Sequence, residues 1–117
     1  PTELVIVIYG YFGPPDSAGA LNFYPVTPCR AADTRPGQGK SGAFGPPRLE
    51  GYAARDFSIT ASGCGVPSTA RAFSLNVIAI PPGPLDFLSM WPAGEPYPYV
   101  SGRPTEVIID VNGYFAP

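Results

Sequence analysis

The sequence predicts an all-β fold, an antiparallel β-sandwich with an N-terminal strand exchanged between subunits. Val, Ile, Tyr and Phe are concentrated in short runs that end at Gly or Pro, which is typical of strands separated by turns. The 117 residues include 17 Pro and 14 Gly, yet 44% of them are hydrophobic. This combination favours a folded domain with rigid turns over a disordered chain. All segments are too short or too interrupted by Pro and Gly to predict a helix.

A strand-like stretch occurs at each end of the chain. Residues 1–14 read PTELVIVIYGYFGP and residues 104–117 read PTEVIIDVNGYFAP. Alternation in the second copy predicts a strand with one apolar and one polar face. The apolar face would carry Val107, Ile109, Val111 and Phe115, and the polar face Asp110 and Asn112.

The first copy differs because Val7 and Tyr9 replace the two polar residues. It is therefore apolar on both faces, as expected of a strand covered on both sides. A terminal strand of a small domain has little reason to be covered twice by its own chain. We therefore predict that residues 1–13 are a donor strand for a neighbouring copy, giving a head-to-tail homopolymer. The residues predicted to contact the neighbour are Leu4, Val5, Ile6, Val7, Ile8, Tyr9, Tyr11 and Phe12.

Two other interpretations of the duplication stay open. The copies can be strands of one domain, adjacent in a single sheet. The chain can also be a piece of a tandem array that carries the last strand of the preceding repeat.

The remaining sequence divides into a linker and one domain. Residues 14–20 lack apolar periodicity and are rich in Pro, Gly and Ser, which predicts a linker. Residues 21–117 are long enough for one domain with a core. Pro25 and Pro28 are expected at a sheet edge or in a turn, since proline cannot donate to a ladder. Strands are predicted at 21–24, 52–60, 70–80, 85–91 and in the C-terminal copy.

The two cysteines, Cys29 and Cys64, predict a disulfide in an exported protein, with a free buried pair as the alternative. Closing a loop of this length stabilises a fold by about 3–4 kcal/mol in the chain-entropy model. Because the sequence begins at Pro1 instead of Met, we expect a removed leader or excision from a longer chain. The expected location is extracellular or at the cell surface.

Three strings then support a family resemblance: LNFYPVTPCRAADTR, CGVPSTARAFSLNVIAIPPGPLDFLSMWPAGEPYPYVS and EVIIDVNGYF. They resemble a repeat domain of secreted and surface proteins of soil and aquatic bacteria, often in tandem and mostly without an assigned function. The resemblance covers nearly all of residues 21–117 and implies a β fold and export, but no catalytic motif. In the family, a further strand-rich stretch lies between the parts that match PYVS and EVIIDVNGYF. In this chain residues 101–103 join those two parts almost directly, which implies missing strands and an open groove.

Composition argues against several classes of function. The net charge is −2 and only 14% of residues are charged, unlike the basic surface of a nucleic-acid binder. An apolar run long enough to span a bilayer is absent from the sequence. The sequence contains no histidine, which removes the usual general base and the usual partner of cysteine in zinc sites. We therefore expect neither an enzyme nor a bound cofactor or metal.

Two groups of residues, one polar and one aromatic, are candidate sites. Arg30, Asp33 and Arg35 can bind an anion, but we favour hydrogen bonds that fix the turn beside the disulfide, with Arg reaching backbone carbonyls. Trp91, Tyr97 and Tyr99 can form an aromatic platform for a sugar or a partner, and packing is an equal alternative.

The sequence therefore predicts a structural subunit of an extracellular fibre. The alternative is a monomeric adhesive or carbohydrate-binding module of a secreted protein. Glycans are candidate partners in either case.

Overall fold

A computed structural model describes residues 3–4, 6, 8, 11–14, 18–96 and 101–117. These residues form three strands, β1 (Asn22–Asp33), β2 (Ala72–Ile80) and β3 (Glu106–Ala116), and two short 3-10 helices, Gly42–Phe44 and Ile59–Ala61. The strands make one antiparallel sheet in the order β1-β3-β2. The all-β prediction is confirmed, whereas the sandwich and the strand exchange stay predictions.

The last strand of the chain, β3, lies in the middle of the sheet. Its neighbours β1 and β2 each pair with it and not with each other. The predicted apolar face is confirmed for Val107, Ile109 and Val111, which are 0–5% exposed and belong to the core. The β-branched residues of β3 explain its place, because a central strand packs side chains on a pleated surface between two ladders.

Phe115 was predicted on the same face, and this prediction is wrong. The register slips beside Gly113 in both ladders, and an extra residue in a strand reverses the alternation beyond it. Tyr114 consequently packs against the core, while the ring of Phe115 contacts that of Phe23 with centroids 5.0 Å apart. Gly113 is required here, since a Cβ would lie 2.4 Å from the Phe23 ring.

The first strand is longer than predicted. We expected a strand over 21–24 followed by Pro25 and Pro28 at a sheet edge or in a turn, and β1 continues to Asp33 with both prolines in an edge strand. It tolerates its prolines because it is an edge strand and because its register slips between Pro25 and Cys29, where ladder donors are not needed.

The predicted disulfide is confirmed, with the Cα atoms of Cys29 and Cys64 5.7 Å apart. It ties β1 to the segment that follows the helix Ile59–Ala61. Ile59 and Val66 from that region cover Ala31, Ala32 and the apolar face of β3. The core therefore lies on the β1 half of the sheet.

Two predicted strands, 52–60 and 85–91, are wrong, because both segments run without ladder partners among the described residues. Alternation in 52–60 reflects burial of single side chains: Phe57 packs against the core and Ile59 is buried. The predicted strand 70–80 is confirmed as β2, and its Leu75 and Val77 pack against the core. None of the described residues belongs to a helix that is long and apolar enough to cross a membrane.

Arg55 explains how the segment at 52–60 is held without a ladder. Its guanidinium donates to four loop carbonyls at 2.6–3.1 Å, those of Gly42, Ala43, Gly45 and Pro47. The same guanidinium lies 5.1 Å from the centroid of the Phe57 ring. One side chain therefore binds the loop at 42–47 to the segment at 52–60.

We expect Arg55→Lys to destabilise the fold by about 1–2 kcal/mol, because one ammonium cannot reproduce the planar fork of donors. Guanidinium unfolding of the two proteins checks this, with Arg48→Lys as the matched control. Arg48 makes one exposed ion pair with Glu50 at 3.1 Å, which contributes little. Equal stability of the Arg55 variant and the wild type would contradict this role.

Candidate functional site

The N-terminal segment exposes its large apolar side chains. Among its described residues, those with large apolar side chains are 76–93% exposed. They are Leu4, Ile6, Ile8, Tyr11 and Phe12. Val5, Val7 and Tyr9, the other members of the predicted donor strand, lie outside the described residues. Soluble domains seldom leave contiguous apolar residues in water unless the residues serve an interface.

The segment meets the domain at an aromatic contact. The rings of Phe12 and Phe115 stack with centroids 5.2 Å apart and planes within 5°. Phe115 pairs with Ala72 in the sheet, so the contact lies at the end of the sheet where β2 begins. The contact leaves Phe12 itself 86% exposed.

An apolar groove of about 630 Å³ opens on the core face of the sheet. We call it the β2 groove. Its floor is formed by Leu75 and Val77 of β2 with Val107 and Ile109 of β3. Its walls come from the two segments at 49–60 and 85–93. The residues of the wrongly predicted strand 85–91 therefore form a wall of this groove.

β2 is one of the two edges of the sheet, and β1 is the other. Within the described residues it pairs only with β3. Ile78 and Ile80, which are 40% and 39% exposed, pair with Ile108 and Glu106 on the face away from the groove floor. An apolar edge strand with unpaired backbone groups is a template for pairing with another strand.

Trp91 lies in the wall of the β2 groove, together with Phe87 and Met90, which are 43% and 57% exposed. Tyr97 and Tyr99 lie outside the described residues, so the predicted aromatic platform is represented by Trp91 alone. The family resemblance implies an open groove, but the residues that line it were not predicted. The signal for it was a sheet edge without enough strands to cover the core.

A cluster of ion pairs lies at the opposite edge of the sheet. The carboxylate of Asp33 is fully buried and accepts from Arg35 Nε at 2.9 Å and Nη2 at 2.7 Å, and from Arg30 Nη1 at 3.0 Å. Arg30 Nε also donates to Asp110 at 2.5 Å. The structural interpretation of these residues is confirmed, although the arginines bind carboxylates and not the predicted carbonyls.

The cluster controls the ionisation of Asp33. Hydrogen bonds from Arg35 are the largest cause that lowers its pKa, from 3.8 to about 2, against the opposing effect of burial. Both arginines are occupied by carboxylates, which leaves little positive charge for an anion. Among the described residues, His, Cys, Asp and Glu make no group that could hold a metal ion.

Comparison with known proteins gives no match to a family model, a curated protein or a solved structure. The functional argument therefore depends on the segment, the groove and the edge of β2.

We expect Asp33 to make the fold acid-sensitive between pH 4 and pH 2. Its pKa is lowered in the folded state, so its stabilisation is present above pH 4 and is lost as the pH falls through about 2. The loss amounts to about 2 kcal/mol. Urea unfolding at pH 6 and pH 2 measures it. Asp33→Asn should be less stable at pH 6 and show a smaller loss on acidification, and an equal loss in both proteins would contradict the assignment.

Proposed function

We propose that the protein is a structural subunit of an extracellular fibre, assembled head-to-tail by insertion of the N-terminal strand into a neighbouring copy. The observation that carries this proposal is the exposure of Leu4, Ile6 and Ile8, at 76–84%, in a stretch whose sequence is apolar on both faces. Such a stretch gains free energy only when another surface covers it.

Burial of the segment would supply the free energy for the contact. Burial of each aliphatic or aromatic side chain contributes about 1.5–3 kcal/mol. The segment carries several such side chains, and the gross gain must exceed the cost of ordering the strand and of association. Backbone hydrogen bonds in a ladder add direction to this apolar contact.

The contact would be heterologous, because the donor segment and its receiving surface are different parts of the chain. A heterologous contact that does not close on itself produces a linear or helical polymer. The disulfide between Cys29 and Cys64 supports an oxidising location. The family resemblance, with its implied export, agrees with this location.

The alternative is a monomeric adhesive or carbohydrate-binding module that uses Trp91. The position of Trp91 in the β2 groove supports it, since aromatic side chains provide flat apolar surfaces with a polar edge. The mainly aliphatic floor of the groove favours a strand over a sugar.

We expect the full-length protein to form fibres, and the double substitution Val7→Asp with Tyr9→Asn to weaken assembly while the fold is retained. The substitutions recreate the polar positions of the C-terminal copy and place polar groups where burial is required. Deletion of residues 1–13 should leave monomers. Light scattering after size exclusion and electron micrographs measure the assembly, and circular dichroism measures the fold.

Ala18→Asp, an exposed position in the linker, is the matched control and should assemble like the wild type. Fibres undiminished by the double substitution would overturn the proposal. A wild type that stays monomeric and binds glycan through Trp91 would favour the alternative.

A further inference from the structure

We propose that the β2 groove and the outer edge of β2 together form the acceptor for the N-terminal segment of a second copy. The inserted segment would run antiparallel to β2 as a fourth strand of the sheet. This inference rests on the proposed function, because it names the surface that receives the donor strand.

The backbone of β2 supplies the first argument. In the described part of the chain, one edge of β2 pairs with β3 and the other has no ladder partner. β2 spans 9 residues, and the segment from Leu4 to Phe12 has the same length. A free edge of matching length lets an added strand satisfy its backbone groups along its whole course.

The duplicated sequence supplies the second argument. The segment is a copy of β3, and β3 already pairs antiparallel with β2. Both copies contain Gly-Tyr-Phe at the same position, and the glycine of β3, Gly113, permits close passage of a neighbouring aromatic ring. A strand with this sequence is therefore compatible with β2 as a partner.

The differences between the copies supply the third argument. In β3, Asp110 is held by Arg30 of β1. A strand on the far side of β2 does not meet β1, so a carboxylate at that position would lose this partner and would be costly to bury. The large apolar side chains that β2 exposes on that face are Ile78 and Ile80, beside the exposed but uncharged Asn76. Val7 in place of aspartate fits this surface.

The groove accounts for the second apolar face. One face of an inserted strand would lie next to Ile78 and Ile80, and the other would cover the groove at Phe87, Leu88 and Met90. A strand that is apolar on both sides needs such a site, with apolar residues on both faces of the sheet.

The proposed occupant of the groove is the N-terminal segment of a second copy, and not that of the same chain. In the single chain, Leu4, Ile6 and Ile8 are 76–84% exposed, and they are not among the residues that line the groove. The described apolar residues of the segment therefore do not fill the groove of their own chain.

Complementation between two full-length variants tests the acceptor. Phe87→Asp with Met90→Asp places a negative charge at each of two exposed positions in the wall of the β2 groove, which an apolar strand cannot cover without cost. These substitutions leave the donor segment intact. Val7→Asp with Tyr9→Asn impairs the donor and leaves the groove intact. We expect each variant alone to be monomeric, with an apparent dissociation constant raised ~100-fold or more. An equimolar mixture should give dimers and not fibres, because only one functional junction can form.

The outcomes separate the acceptor from the proposed function. If the groove variant assembles like the wild type while the donor variant does not, the acceptor assignment is overturned and strand-mediated assembly stands. If both variants assemble, both proposals fail. Tyr52→Asp, at a position that is 81% exposed and outside the groove lining, is the control and should assemble normally.

A second measurement does not depend on the stability of the groove variant. Full-length Val7→Cys is mixed with full-length Ile78→Cys, treated with a short bis-maleimide and digested for mass spectrometry, because the proposed insertion places positions 7 and 78 on the same face of the sheet. We expect a peptide that joins position 7 of one copy to position 78 of the other. Tyr52→Cys in place of Ile78→Cys should give no such product. A link from position 7 to position 52 and none to position 78 would overturn the acceptor assignment.

Discussion

Pairing on both edges of β3 is the constraint on which the rest of the sheet depends. β1 and β2 do not pair with each other, so β3 is the strand that joins them. Its residue Val111 is fully buried, and Val107 and Ile109 are nearly so. A central strand contributes two ladders and a packed face at once, so β1 and β2 belong to one sheet only when β3 is in place. The nonlocal pairing between positions near 25 and near 113 makes this step entropically costly.

The two sides of β3 are stabilised very differently. On the β1 side, a disulfide, a buried carboxylate with two arginines and most of the core act together. On the β2 side, the apolar face is covered only in part, and the groove of about 630 Å³ remains open. Because the β1 side is stabilised by the disulfide, the ion pairs and most of the core, the fold would not depend on whether the β2 side receives another strand. This asymmetry separates the stability of the subunit from the strength of its contacts.

Sequence alone predicted the features that depend on local pattern. The alternation in β3, the run of β2 and the link between Cys29 and Cys64 were found because each is visible in nearby residues or in composition. The rest depends on neighbours in space. Whether Pro25 can lie inside a strand depends on that strand being an edge, and the face of Phe115 depends on a bulge beside Gly113. Segment 52–60 alternates and segment 85–91 is largely apolar, yet neither has a ladder partner among the described residues, since these patterns report burial and not pairing. The groove follows from that missing pairing and was therefore not predictable residue by residue.

The duplication explains how one chain can carry both halves of a contact. A new interface ordinarily requires two surfaces to become complementary. A copy of β3 already fits the backbone of β2, because β3 and β2 pair in the same sheet. What had to change was the polar face, where Asp110 depends on Arg30 of β1. Val7 and Tyr9 stand at the polar positions of the N-terminal copy, which removes that dependence on β1. In the proposed assembly, the residues that distinguish the two copies are therefore those that distinguish a central strand of one subunit from a strand shared between two.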